Sequence, residues 1–103
     1  MKTVHKFEVR LGLAKNFQDE LNEWSLKVPE GSEILALDTQ FGMPIMHILV
    51  NTEKPEVERV FRVFATGERM GAAPYGKKWK YVGTVSLERG GWKYHVFESI
   101  HVE

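Results

Sequence analysis

Apolar and polar residues alternate along most of this chain, which is the pattern of β-strands that bury one face. In residues 4–11, for example, Phe7, Val9 and Leu11 fall on one side of the strand and charged residues fall on the other. The same reasoning predicts seven strands, at residues 4–11, 24–28, 33–40, 44–51, 57–65, 79–87 and 92–100. Seven strands at a spacing of about 8–12 residues are typical of a small all-β sandwich or barrel, mainly antiparallel.

The segments between these strands carry turn residues, with two exceptions. In residues 16–23, apolar side chains follow Asn16 at helical spacing, and Asn16 is a residue suited to a helix N-cap. At most one short helix is therefore predicted there. Residues 67–78 show no periodicity and contain three glycines, which predicts a long loop. Arg89-Gly90-Gly91 is a hairpin signal between the last two strands.

Length and composition indicate one intracellular β domain spanning residues 1–103. Hydrophobic residues make up 43% of the chain and the formal net charge is zero, which disfavours disorder. The neutral charge also argues against nucleic acid or a membrane surface as a partner, although Lys77-Lys78-Trp79-Lys80-Tyr81 interleaves basic and aromatic residues. A neutral chain rich in aromatic residues has little charge repulsion to keep it monomeric, so we expect a homo-oligomer.

Three runs in the second half resemble a known family: residues 61–67 (Phe-Arg-Val-Phe-Ala-Thr-Gly), 81–85 (Tyr-Val-Gly-Thr-Val) and 92–98 (Trp-Lys-Tyr-His-Val-Phe-Glu). Their order and spacing are similar to those of small phage- and prophage-encoded β-rich proteins of unknown function. That pattern has Phe-Arg-Ile/Val before Gly-Thr-Gly, then Tyr-Ile-Gly-Thr and His-Val-Phe-Glu. Here Ala65 replaces a glycine of the pattern and Glu68 replaces a histidine. The resemblance implies a phage origin, a compact β fold and the cytoplasm of the infected bacterial host, and it supplies no catalytic residues.

The glycine-rich loop contains most of the residues that we expect to bind a ligand. Small residues allow close backbone approach, while a hydroxyl, basic groups and an aromatic ring can hold a phosphate or a carboxylate. The alternative is a solvated hairpin connection with no ligand. The predicted ligand-binding residues are Thr66, Gly67, Arg69, Tyr75, Lys77, Lys78 and His95.

The sequence does not favour catalysis or metal binding. Cysteine is absent, so there is no thiolate nucleophile and no cysteine-ligated zinc site. In a strand, His95 and Glu98 point to opposite faces, which is a poor arrangement for a metal site. We therefore expect no enzyme activity, no metal and no cofactor. Convergence of His47, His95 and Glu98 on one side of the fold would revive the catalytic hypothesis.

Two functions follow from these observations. The first is a non-enzymatic binding protein that sequesters a phosphorylated, nucleotide-like small molecule, such as a host immune signal, as a phage counter-defence. The second is a protein–protein interaction module that inhibits a host protein or serves as a virion accessory protein. The loop composition and the phage setting implied by the resemblance favour the first.

Overall fold

The computed structural model describes residues 1–9, 23–86 and 93–102, and these form seven β-strands and no helix. The strands are β1 (Lys2–Glu8), β2 (Glu23–Pro29), β3 (Glu33–Gln40), β4 (Met43–Asn51), β5 (Glu56–Ala65), β6 (Lys77–Ser86) and β7 (Lys93–His101). The predicted all-β fold is therefore confirmed. The predicted helix near residues 16–23 lies outside the described residues except for Glu23, which begins β2, and the Arg89-Gly90-Gly91 hairpin also lies outside them.

The strands form two antiparallel sheets that pack as an open sandwich. One sheet has the order β1-β4-β3 and the other has the order β2-β5-β7-β6. Of the two predicted architectures, sandwich and barrel, the sandwich is therefore correct. The strand from Met43 to Asn51 is central in its sheet, as its two apolar faces predicted.

The core lies between the inner faces of the two sheets. Met46, Ile48 and Val50 of β4 are fully buried there, opposite β5 and β7. Trp24 of β2 stacks on Phe61 of β5, with ring centroids 5.6 Å apart. Alternation in β4 and β5 directs these residues inward, and their burial supplies the apolar stabilisation that holds the sheets together.

Strands β3 and β6 face each other at one rim of the sandwich, and a glycine sets how closely they approach. A Cβ atom added to Gly83 would lie 2.7 Å from Leu37 Cδ1, so the strands are in close contact at this level. Each strand also carries a bulge, at Leu35 in β3 and at Val82 in β6. Bulges interrupt pairing and bend an edge strand, which opens the rim away from Gly83.

Strands β5 and β6 both pair antiparallel with β7, so they run parallel to each other on either side of it. Residues 66–76, which join them, are therefore a crossover and not the hairpin connection that was the alternative interpretation. The crossover passes over the outer face of its sheet, because Trp79 Nε1 on that face donates to Gly71 O at 3.0 Å. On the same face, Glu68 of the crossover pairs with Arg62 at 3.5 Å.

An aromatic cluster lies on this outer face, beside the crossover. Phe64 is 2% exposed although it points away from the main core. It makes edge-to-face contacts with Trp79 and Phe97 at centroid distances of 5.5 and 5.6 Å, and the guanidinium of Arg62 lies 4.7 Å from its ring centroid. The four-stranded sheet is thus buried on both faces at this point.

The described part of the chain contains no helix that is long and apolar enough to cross a membrane.

Candidate ligand-binding site

The seven predicted ligand-binding residues are distributed along the crossover and the strands that it joins. Thr66, Gly67, Arg69 and Tyr75 lie on the crossover, Lys77 and Lys78 begin β6, and His95 lies in β7. Hydrogen bonding joins one pair among these seven, Thr66 and His95. The ring of Tyr75 is fully exposed, and alternation sends Lys77 and Lys78 to opposite faces of the sheet. The predicted residues therefore do not form one pocket.

His95 is held in a chain of hydroxyl groups on the outer face of the sheet. Its Nε2 lies 2.8 Å from Thr66 Oγ1 and its Nδ1 lies 2.9 Å from Thr84 Oγ1. Thr84 Oγ1 in turn contacts the hydroxyl of Tyr81, and Thr66 Oγ1 lies 3.4 Å from the backbone oxygen of Lys93. All four side chains come from the three runs that carry the family resemblance.

One assignment of hydrogens gives every hydroxyl in this chain an acceptor. Tyr81 donates to Thr84, Thr84 donates to Nδ1 of His95, Nε2–H of His95 donates to Thr66, and Thr66 donates to Lys93 O. Both ring nitrogens then take part in hydrogen bonds within the network. The network fixes the position of Tyr81, a residue that is 56% exposed.

The catalytic arrangement considered from the sequence does not form. His47 lies on the outer face of the three-stranded sheet, opposite Lys6 and Ala36, whereas His95 lies on the outer face of the four-stranded sheet. Glu98 pairs in register with Phe61 and points into the sandwich. The described residues also contain no group of three or more His, Asp or Glu side chains placed to hold a metal ion.

A part-buried ion pair joins β5 to β7 inside the sandwich. Arg59 Nε and Nη2 donate to the two carboxylate oxygens of Glu98 at 2.7 Å each, and Nη1 donates to Ser32 O at 2.6 Å. The two side chains are 20% and 7% exposed. The alternation of β5 already placed Arg59 on the same face as Phe61 and Val63, which is the signal of an inward-pointing arginine. Its partner, 39 residues away, could not be identified from sequence.

A cleft of about 440 Å³ opens above this ion pair, between β3 and β6. It lies at the rim where the two edge strands diverge from their contact at Gly83. Its walls are the start of β3 and the middle of β6, and Arg59 and Glu98 also line it. Among the predicted ligand-binding residues none lines this cleft, so sequence reasoning missed it. The lining residues are Gly31, Ser32, Glu33, Ile34, Arg59, Lys80, Tyr81, Val82 and Glu98.

Charge is unevenly distributed over the molecule, although the net charge is zero. Residues 66–103 contain six basic side chains, Arg69, Lys77, Lys78, Lys80, Arg89 and Lys93, and four acidic ones, Glu68, Glu88, Glu98 and Glu103. Two of the acidic side chains, Glu98 and Glu68, are paired with Arg59 and Arg62 of β5. The crossover and β6 (residues 66–86) contain four of these basic residues and one acidic residue, so they are a basic region of the chain, which spans both faces of the sheet and includes the exposed Tyr75 and Tyr81.

Comparisons with known proteins place the chain in a family without assigning an activity. No curated protein matches it, and no solved structure matches it. A family model does match, and it covers the whole chain, residues 1–103. The chain therefore belongs to the family described as a domain of unknown function, DUF7352.

Proposed function

We propose that this protein is a non-enzymatic binding protein for a small phosphorylated, nucleotide-like molecule. The observation that carries the proposal is the basic region of the crossover and β6, whose one carboxylate, Glu68, is already paired with Arg62. Lysine ammonium groups attract a phosphate, and exposed aromatic rings can stack on a base. The overall neutrality of the chain favours a small ligand over a long polyanion such as nucleic acid.

The biological setting of this proposal comes from the resemblance to phage and prophage proteins. In the cytoplasm of an infected bacterium, a protein that binds a nucleotide-like host immune signal would lower its free concentration and so act as a counter-defence. A homo-oligomer would place several such sites on one particle. Sequestration requires only tight binding and no chemical step.

Native mass spectrometry of the protein purified from a bacterial host tests this function. We expect a small mass that is retained under gentle conditions and released on denaturation. A thermal-shift series with 5′-AMP, 3′,5′-cyclic AMP, ADP-ribose and cyclic di-AMP should raise the unfolding temperature with at least one compound, because a ligand that binds only the folded state stabilises it. A protein that carries no adduct and is not stabilised by any of these compounds would rule the function out.

A specific observation favours the alternative function, a protein–protein interaction module. Phe41 is 97% exposed at the tip of the β3–β4 hairpin, where it adopts a φ of +52°. A bulky residue rarely adopts this conformation, and Asn or Gly would fit the turn without strain. An exposed aromatic side chain held at a tip is suited to insertion into an apolar pocket of a partner protein. Loss of partner binding on Phe41→Asn, with ligand binding unchanged, would identify this surface.

A further inference from the structure

The geometry points to the cleft between β3 and β6 as the site that takes the anionic group of the ligand, a phosphate monoester. This inference rests on the proposed function and makes it more specific. It moves the anion from the glycine-rich crossover, where the sequence placed it, to a cleft lined by Ser32, Arg59 and Lys80.

Arg59 has hydrogen-bonding capacity left over after its contacts within the protein. A guanidinium carries five N–H donors. Three of them are used, two by Glu98 and one by Ser32 O, so two have no acceptor among the described residues. The side chain is 20% exposed and lines the cleft, so these donors are within reach of a ligand there.

Lys80 supplies the second positive group. It lies opposite Glu98 in the β6–β7 register and on the same face, where an ion pair would be expected. Each oxygen of Glu98 accepts a hydrogen bond from Arg59, and within the described part of the chain the ammonium of Lys80 forms no ion pair. The cleft therefore combines this ammonium with a guanidinium that Glu98 and Ser32 hold in a fixed position. Such preorganisation favours binding because little side-chain entropy is lost.

The size and lining of the cleft define the class of ligand. A volume of about 440 Å³ falls within the range of cavities that hold small molecules. A mainly polar lining suits a charged group better than an apolar one. Glu33 also lines the cleft and brings a negative charge, which would repel a triphosphate more strongly than a single phosphate. These features favour a phosphate monoester with an attached base or sugar.

Nuclear magnetic resonance with two named probes tests the location of the anion. Inorganic phosphate and 5′-AMP should both shift the Nε–H signal of Arg59 and the backbone amides of residues 31–34. The amides of residues 67–73 should move less. If phosphate shifts residues 67–73 and leaves the Arg59 signal unchanged, the anion binds at the crossover and the cleft assignment is overturned.

Lysine variants provide the matched comparison. We expect Lys80→Met, which keeps the aliphatic chain and removes the charge, to weaken 5′-AMP binding about 10-fold or more. Lys27→Met, at an exposed position of β2 outside the cleft lining, is the control and should leave binding unchanged, and Lys77→Met should change it less than Lys80→Met. Retained binding in Lys80→Met with loss in Lys77→Met would overturn the cleft assignment and leave the binding function intact.

Failure of the proposed function would give a different pattern. If phosphate binds in the cleft but 5′-AMP binds no more tightly than phosphate, the cleft assignment stands and recognition of a nucleotide-like ligand is ruled out. If neither probe shifts Arg59 or the amides of residues 31–34, the cleft is not an anion site.

Discussion

Gly83 of β6 packs directly against the side chain of Leu37 of β3, with no room between them for a Cβ atom. A Cβ at Gly83 would lie 2.7 Å from Leu37 Cδ1 and 3.2 Å from its Cγ. At this contact the edge strands of the two sheets, β3 and β6, touch, and the contact closes one end of the cleft that lies between them.

Gly83→Ala should therefore destabilise the protein by about 1 kcal/mol, because overpacking forces Leu37 from its position. Urea denaturation followed by intrinsic fluorescence measures the change. The penalty should disappear when the substitution is made in a Leu37→Ala background. Gly71→Ala is the control, since no atom lies within 4 Å of its Cβ position and its φ is not positive. An equal loss of stability in both single variants would contradict the packing argument.

Phe41→Asn should stabilise the protein by about 0.5–1 kcal/mol, because Asn tolerates the left-handed region and Asn-Gly is the preferred pair for a turn with two positive φ angles. Phe41 and Gly42 have φ values of +52° and +77°. Chemical denaturation measures the gain. Phe41→Ala removes the ring but keeps the strain, so it should give a smaller gain or none. If both variants gain equally, exposure of the ring and not the backbone conformation is responsible.

Glu98→Gln should destabilise the protein by about 2 kcal/mol, because it leaves the part-buried guanidinium of Arg59 without its counter-charge. Glu53→Gln is the matched control. Glu53 pairs with the N-terminal amine at 3.4 Å in an exposed setting, where an ion pair contributes little. Equilibrium unfolding of the two variants should separate them clearly. Equal effects would mean that the Arg59–Glu98 pair is no more important than a surface contact.

His95 should be the tautomer that carries its hydrogen on Nε2. That form allows Thr66 to donate to Lys93 O and Thr84 to donate to Nδ1, so each hydroxyl has an acceptor. Long-range ¹H–¹⁵N correlation spectra at a pH where the ring is neutral distinguish the two tautomers. The Nδ1–H form would show that the chain of hydrogen bonds runs in the opposite direction, from Thr66 through His95 and Thr84 to the hydroxyl of Tyr81, which accepts the last hydrogen bond.

The strands could be predicted from sequence because each buries a face and so alternates. Residues 33–40 were predicted with the bounds of β3, and the other strands were predicted to within a few residues. The order of the strands could not be predicted in this way, because alternation defines faces and not neighbours. Residues 66–76 could therefore be interpreted as a hairpin connection as well as a crossover. The sequence around Phe64 also did not indicate that the outer face of the four-stranded sheet is buried.

The candidate site was harder to predict for the same reason. The composition of residues 66–78 drew attention to the crossover, but a cleft depends on which edge strands face each other across the sandwich. Ser32, Arg59 and Lys80 come from three segments that are distant in sequence. Of these three residues, only Arg59 could be recognised from sequence, because the alternation of β5 places it on the inward face with Phe61 and Val63.

The central position of β7 has a consequence for how the protein is made. β5 and β6 both pair with β7, which follows them in the chain. During synthesis the two earlier strands emerge from the ribosome first and lack their shared partner until residues 93–101 are available. The apolar faces of β5 and β6 are exposed to unwanted pairing during that interval. The lysines of β6 disfavour pairing of this strand with other chains, because their charges repel and are costly to bury, until β7 inserts between β5 and β6.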